Sequence, residues 1–172
     1  MQSERRRDTM FVQGVMMTHV ALGVIGIMFA VALFVDVLNV NEGNIERIKK
    51  SSLAVAVLIV FAYIIGGYWY VVYYGHDRDI IKAGQWPWAH NYFMEVKEHL
   101  FFMMLLLGIY LPIAVYRNAP LMEKEKRCLV LGICALIVVL GFFMEGAGGI
   151  IEIGRASCME IDYNSEGGVS IK

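Results

Sequence analysis

Residues 10–35, MFVQGVMMTHVALGVIGIMFAVALFV, decide the architecture. In 26 residues the one ionisable side chain is His19, and about 20 residues suffice to cross a hydrocarbon layer of about 30 Å. Three further segments read the same way, at 52–75, 91–116 and 128–151. With no water in the bilayer core, backbone polar groups must be satisfied within each segment, so the four segments are expected to be helices. Short connections between them predict an all-α, antiparallel four-helix transmembrane bundle in one domain, followed by a polar, loosely ordered tail over 152–172.

Composition agrees. The 172 residues are 58% hydrophobic and 18% charged, with a mean hydropathy of +0.58, more apolar surface than a soluble domain of this length can cover. The expected surroundings are therefore lipid, in a cell (inner) membrane, and not nucleic acid. Arg5, Arg6 and Arg7 precede the first segment, but its apolar run exceeds a signal-peptide core of about 7–15 residues and is expected to be retained. Orientation stays open: Arg5, Arg6, Arg7, Arg78, Lys82 and Arg155 flank the side holding the N-terminus. Arg47, Lys49, Lys50, Arg117, Lys124, Lys126 and Arg127 flank the far side, so basic charge is nearly balanced. Cys128, Cys134 and Cys158 lack ligand spacing and read as plain thiols.

The polar residues inside the spans carry the functional signal. At 1.5 Å per residue, His19 and His99 fall roughly 12–14 Å below the N-terminal side, and Glu145 about 9 Å below it, with Glu95 and Glu98 slightly shallower than His99. Ionisable groups are costly at such depth and mark sites. Helical spacing puts Val12, Met16, His19, Gly23 and Gly26 on one stripe of the first span, and Tyr63, Gly67, Tyr70 and Tyr74 on one stripe of the second. It puts Asn91, Glu95, Glu98, His99 and Phe102 on one face of the third, and Cys134, Gly141, Glu145, Gly148, Gly149 and Glu152 on one stripe of the fourth. These faces are expected to meet inside the bundle, leaving Lys97 on the outside.

Imidazole and carboxylate together suit a transition metal ion such as Fe, Mn, Zn or Cu. The expected ligands are His19, Glu95, His99 and Glu145, with Glu98 as a fifth ligand or an orienting neighbour and Tyr70 as a nearby hydrogen-bond donor. Bundles that hold di-iron centres carry Glu-x-x-His on two helices, whereas this chain has Glu95-x-x-Glu98-His99 once. A second reading is a small b-type cytochrome with His19 and His99 as axial ligands of haem b, within a larger respiratory assembly. A third is an accessory subunit without a cofactor. The residues do not decide whether the protein is an enzyme.

The far half of the bundle lacks an ionisable relay, which argues against a channel or a proton-coupled transporter. The connection over the N-terminal side, with His76, Asp77, Arg78, Asp79, Trp86, Pro87, Trp88 and His90, reads as an amphipathic cap whose Ile80 and Ile81 dip into the interface. Such a cap could admit a quinone or dock a redox partner. His76 and His90 read either as surface residues, the favoured reading, or as neighbours that orient the ligands of the site.

Overall fold

The computed structural model describes residues 2–84, 86–117 and 123–165, and the side chains of 10–75, 77–84, 86–117 and 123–156. The expectations for His76, Cys158, the three N-terminal arginines and the end of the tail lie outside these. Five α-helices follow in order: α1 Gln2–Leu38, α2 Ile45–Val72, α3 Tyr74–Ala83, α4 Glu95–Arg117 and α5 Lys124–Ser165, with a π-helical turn, Ala89–Met94, leading into α4. Four stretches are long and apolar enough to cross a membrane: Met10–Leu38, Ile45–Val72, Ala89–Arg117 and Lys124–Ala156. The protein is an integral membrane protein with an all-α, four-helix transmembrane fold.

The spanning helices form a ring in the order α1, α2, α4, α5, each packed on two antiparallel neighbours, so α1 lies diagonal to α4. Their inward positions recur at alternating spacings of three and four, the period of left-handed helix packing. On α4 this stripe is Met94, Lys97, Phe101, Met104, Gly108, Leu111 and Val115, all buried or half-buried. The far half is a continuous apolar core in which Leu33, Val37, Ile48, Val55, Leu111, Val115, Val130 and Ile137 are almost fully enclosed. With little hydrophobic force between helices in lipid, close approach over small residues carries the packing. A Cβ on Gly108 would sit 2.9 Å from Ile59 of α2, and one on Gly141 would sit 2.6 Å from Ile27 of α1.

The ends differ from the expected boundaries. The first connection is a short turn, because buried Asn44 closes it: its amide donates to the carbonyls of Asp36 and Asn39 and its side-chain oxygen accepts from the Asn41 N–H. Residues 45–51 then continue as helix, with Arg47 Nε donating to Asp36 at 2.7 Å. Among the described residues, 152–165 are helical and not loose. α5 runs to Ser165, supported where it leaves the core by Arg155 Nε donating to Glu152 at 3.0 Å, one turn apart.

Over the N-terminal side, α3 and the π-helical turn build a second small core. Ile81 is fully enclosed there with Tyr74, Ala89, Met94 and Ile151, so it packs on protein and does not dip into lipid. Gly154 permits this: a Cβ there would lie 3.2 Å from that of Ala89.

Candidate functional site

Three ionisable side chains occupy the bundle on its N-terminal side, each seated over a glycine of a neighbouring helix. His19 of α1 lies over Gly66 of α2, where a Cβ would come within 2.5 Å of Nδ1 and Cε1. Its Nδ1–H donates to the Ala62 carbonyl at 2.9 Å, and Phe101 of α4 meets the ring edge-on at 6.0 Å. Glu145 of α5 presses on Gly23 of α1, its Oε1 lying 2.7 Å from where a Cβ would stand. Lys97 of α4 lies over Gly148 of α5, with Nζ 3.0 Å from such a Cβ. Lys97 is within electrostatic reach of both Glu145 and His19. A lysine and a glutamate within electrostatic reach of one another lower the cost of placing ionisable groups inside the bundle.

The inward position of Lys97 corrects the expected orientation of α4. Lys97 lies on the inner stripe, so the residues about a third of a turn or more away turn outward: Glu95, Glu98 and His99 are exposed on the helix exterior. The expected meeting of His19, Glu95, Glu98, His99 and Glu145 in one interior pocket is therefore replaced by a division. His19 and Glu145 remain inside, Glu98 sits where α4 meets α2, and Glu95 and His99 face away from the bundle. Among the described residues no three His, Cys, Asp or Glu side chains gather closely enough to hold a metal ion. His19 and His99, on diagonal helices, likewise differ in setting: one is pinned between helices and the other is exposed. The α2 stripe is also rotated, with Ala62 and Gly66 towards the interior and Tyr63 exposed.

His99 has a fixed posture. Its Nδ1 lies 2.7 Å from the carbonyl oxygen of Glu95, one turn earlier. A carbonyl can only accept, so Nδ1 carries the proton, and in the neutral ring Nε2 keeps the lone pair. By helical rise within the span Ala89–Arg117, Glu95 lies about 9 Å and His99 about 15 Å from its start. With the 29-residue span set symmetrically in a bilayer whose headgroup region accounts for roughly 6 Å on each side, His99 is expected level with hydrocarbon and Glu95 close to its boundary.

A polar and aromatic chain runs from this face into the cap. The Tyr70 hydroxyl donates to the Glu98 carboxylate. Tyr70 stacks on Tyr74 with ring centroids 5.2 Å apart, and the Tyr74 hydroxyl shares a 2.9 Å hydrogen bond with His90 Nδ1. His90 is 7% exposed, a buried residue and not the surface residue expected, because the π-helical turn tucks it beneath α3. Burial, aided by Tyr70, Asp77 and Glu98 nearby, pushes the Tyr74 hydroxyl well above its ordinary ionisation range. Trp69 Nε1, in the same cluster, is buried without a hydrogen-bond partner.

Sequence reading placed Lys97 on the wrong side of α4, and it missed the glycines at 66 and 148 as seats for polar side chains and the Tyr74–His90 pair. The recoverable signal was the spacing Met94–Lys97–Phe101–Met104, which places Lys97 among buried residues. On the lipid side of α1 and α2, Phe11, Gly14, Val15, Thr18, Ile64, Ile65 and Tyr68 line an open apolar groove of about 540 Å³. Comparison with protein-family models, curated proteins and solved structures finds no match for this chain.

Proposed function

We propose that the protein works as a subunit of a membrane assembly and contributes His99 and Glu95 to a site completed by a partner, in a redox or metal-handling role. The observation that carries this reading is the exposure of an imidazole and a carboxylate, one turn apart, on the outside of α4 within a candidate membrane span. Bare to lipid, each would cost a few kcal/mol. A partner that supplies a polar group, a metal ion or a cofactor at the same depth removes the cost. The fixed Nδ1–H of His99 supports ligand chemistry in particular, since metal-bound imidazoles are held in this way by a carbonyl or carboxylate on the other ring nitrogen.

Haem b is the second cofactor consistent with that posture, with His99 as one axial ligand and the other supplied across the interface. The interior layer of His19, Lys97 and Glu145 then serves to fix the rotation of α4 that turns His99 outward. The apolar groove between α1 and α2 could accept the chain of a lipid or of a quinone.

The test is a visible spectrum of protein extracted in mild detergent, oxidised and dithionite-reduced, together with metal analysis and particle mass. A Soret band assigns haem; a bound transition metal without one assigns the non-haem site. A monomer carrying neither, with no co-extracted polypeptide, overturns the proposal, whereas a complex carrying neither leaves the accessory-subunit role alone.

A further inference from the structure

We infer that the partner completing the α4 site is a second copy of this chain, and that two His99 and two Glu95 together bind one divalent transition metal ion. The inference rests on the shared-site reading above and gives it a partner and a ligand class. Glu95, His99, Phe102, Leu106, Ile109 and Ile113 recur at spacings of four and three along α4, and all are exposed. This is the period at which two helices of like direction meet along a seam.

The membrane adds a constraint. Two copies inserted with the same orientation carry every residue at the same depth, so a two-fold axis along the membrane normal brings like residues face to face. Glu95 and His99, one turn apart, then become four donors, two imidazole and two carboxylate, at one level. The single chain cannot supply this set, since no three such donors gather among its described residues. Four donors of this kind suit a tetrahedral zinc-type site.

Charge points the same way. Two carboxylates neutralise one divalent ion, and neutral imidazoles add none, so the filled site has zero net charge in a medium that penalises any other value. His99 needs no rearrangement to bind, because its Nδ1–H is already spent on the Glu95 carbonyl and its Nε2 lone pair is free to coordinate.

Cobalt(II) titration of the full-length, metal-stripped protein in detergent tests this, with particle mass followed by light scattering. The expected result is visible d–d absorption of a tetrahedral nitrogen and oxygen site, saturating at about one cobalt per two chains. His99→Ala and, separately, Glu95→Gln should abolish it while helix content is retained, since both positions are exposed and carry no packing. Cys128→Ser, at an exposed thiol on the far side of the bundle, should leave it intact. Saturation at one cobalt per chain, unchanged binding in His99→Ala, or no binding by the parent protein overturns the inference. Extraction with a different membrane polypeptide cross-linked through position 99 would also overturn it, while sustaining the broader proposal of a shared site.

Discussion

Gly66→Ala should damage this protein far more than Gly67→Ala, although the two glycines are adjacent on α2 and the substitution is the same. At Gly66 the added Cβ would lie 2.5 Å from two atoms of the His19 ring and 3.2 Å from a third. The ring cannot simply swing aside, because Nδ1–H is held by the Ala62 carbonyl one turn earlier on the same helix. Overpacking of this kind costs about 1–3 kcal/mol, and sacrificing the hydrogen bond adds about 0.5–1.5 kcal/mol. At Gly67 nothing lies within 4 Å of the new Cβ. There the better helix propensity of alanine gains up to about 1 kcal/mol. Reversible unfolding in mixed detergent micelles, followed by far-UV ellipticity, measures both. His19→Ala combined with Gly66→Ala should recover at least about 1 kcal/mol relative to the sum of the single effects. Equal stability of the two alanine variants, or an additive cycle, would refute the account of His19 as a side chain seated on Gly66.

Two further outcomes follow from the interior charges and the cap. Lys97→Met removes the cation within electrostatic reach of Glu145 and should destabilise the fold, whereas Lys97→Met with Glu145→Leu should cost less than Lys97→Met alone; a double variant less stable than either single one would remove the proposed coupling. For Tyr74, the unfolded chain ionises near the ordinary tyrosine value of about 10 while the folded protein holds the proton longer. Stability should therefore be fully present below about pH 10 and fall as pH rises above it, because the unfolded state then binds fewer protons. Tyr74→Phe should flatten this alkaline decline, and an unchanged slope in unfolding midpoint against pH would contradict the burial of the hydroxyl.

Much of the fold can be read from residues taken in order. A run such as 10–35 leaves a membrane-spanning helix as the sole way to satisfy its backbone, and four such runs with short connections leave an antiparallel bundle. The inner stripe of α1 through Met16, His19, Gly23 and Gly26 was also legible, because the one ionisable residue of the span shares a side with two glycines. The same reasoning failed on α4. There polar residues occur on two sides, Lys97 on one and Glu95, Glu98 and His99 on the other, and counting them favours the larger group.

What sequence alone determined is that these side chains fall inside segments long and apolar enough to cross a membrane, and at what rise from the end of each segment. Which way they point was decided by the neighbours. A membrane helix is apolar on every side, so its hydrophobic pattern carries no direction; rotation is set by where a facing helix leaves room. Gly148 leaves it for Lys97 and Gly23 for Glu145. With Lys97 drawn inward, His99 and Glu95 are turned outward, so the site proposed for them lies on the outer face of the chain and not in its core.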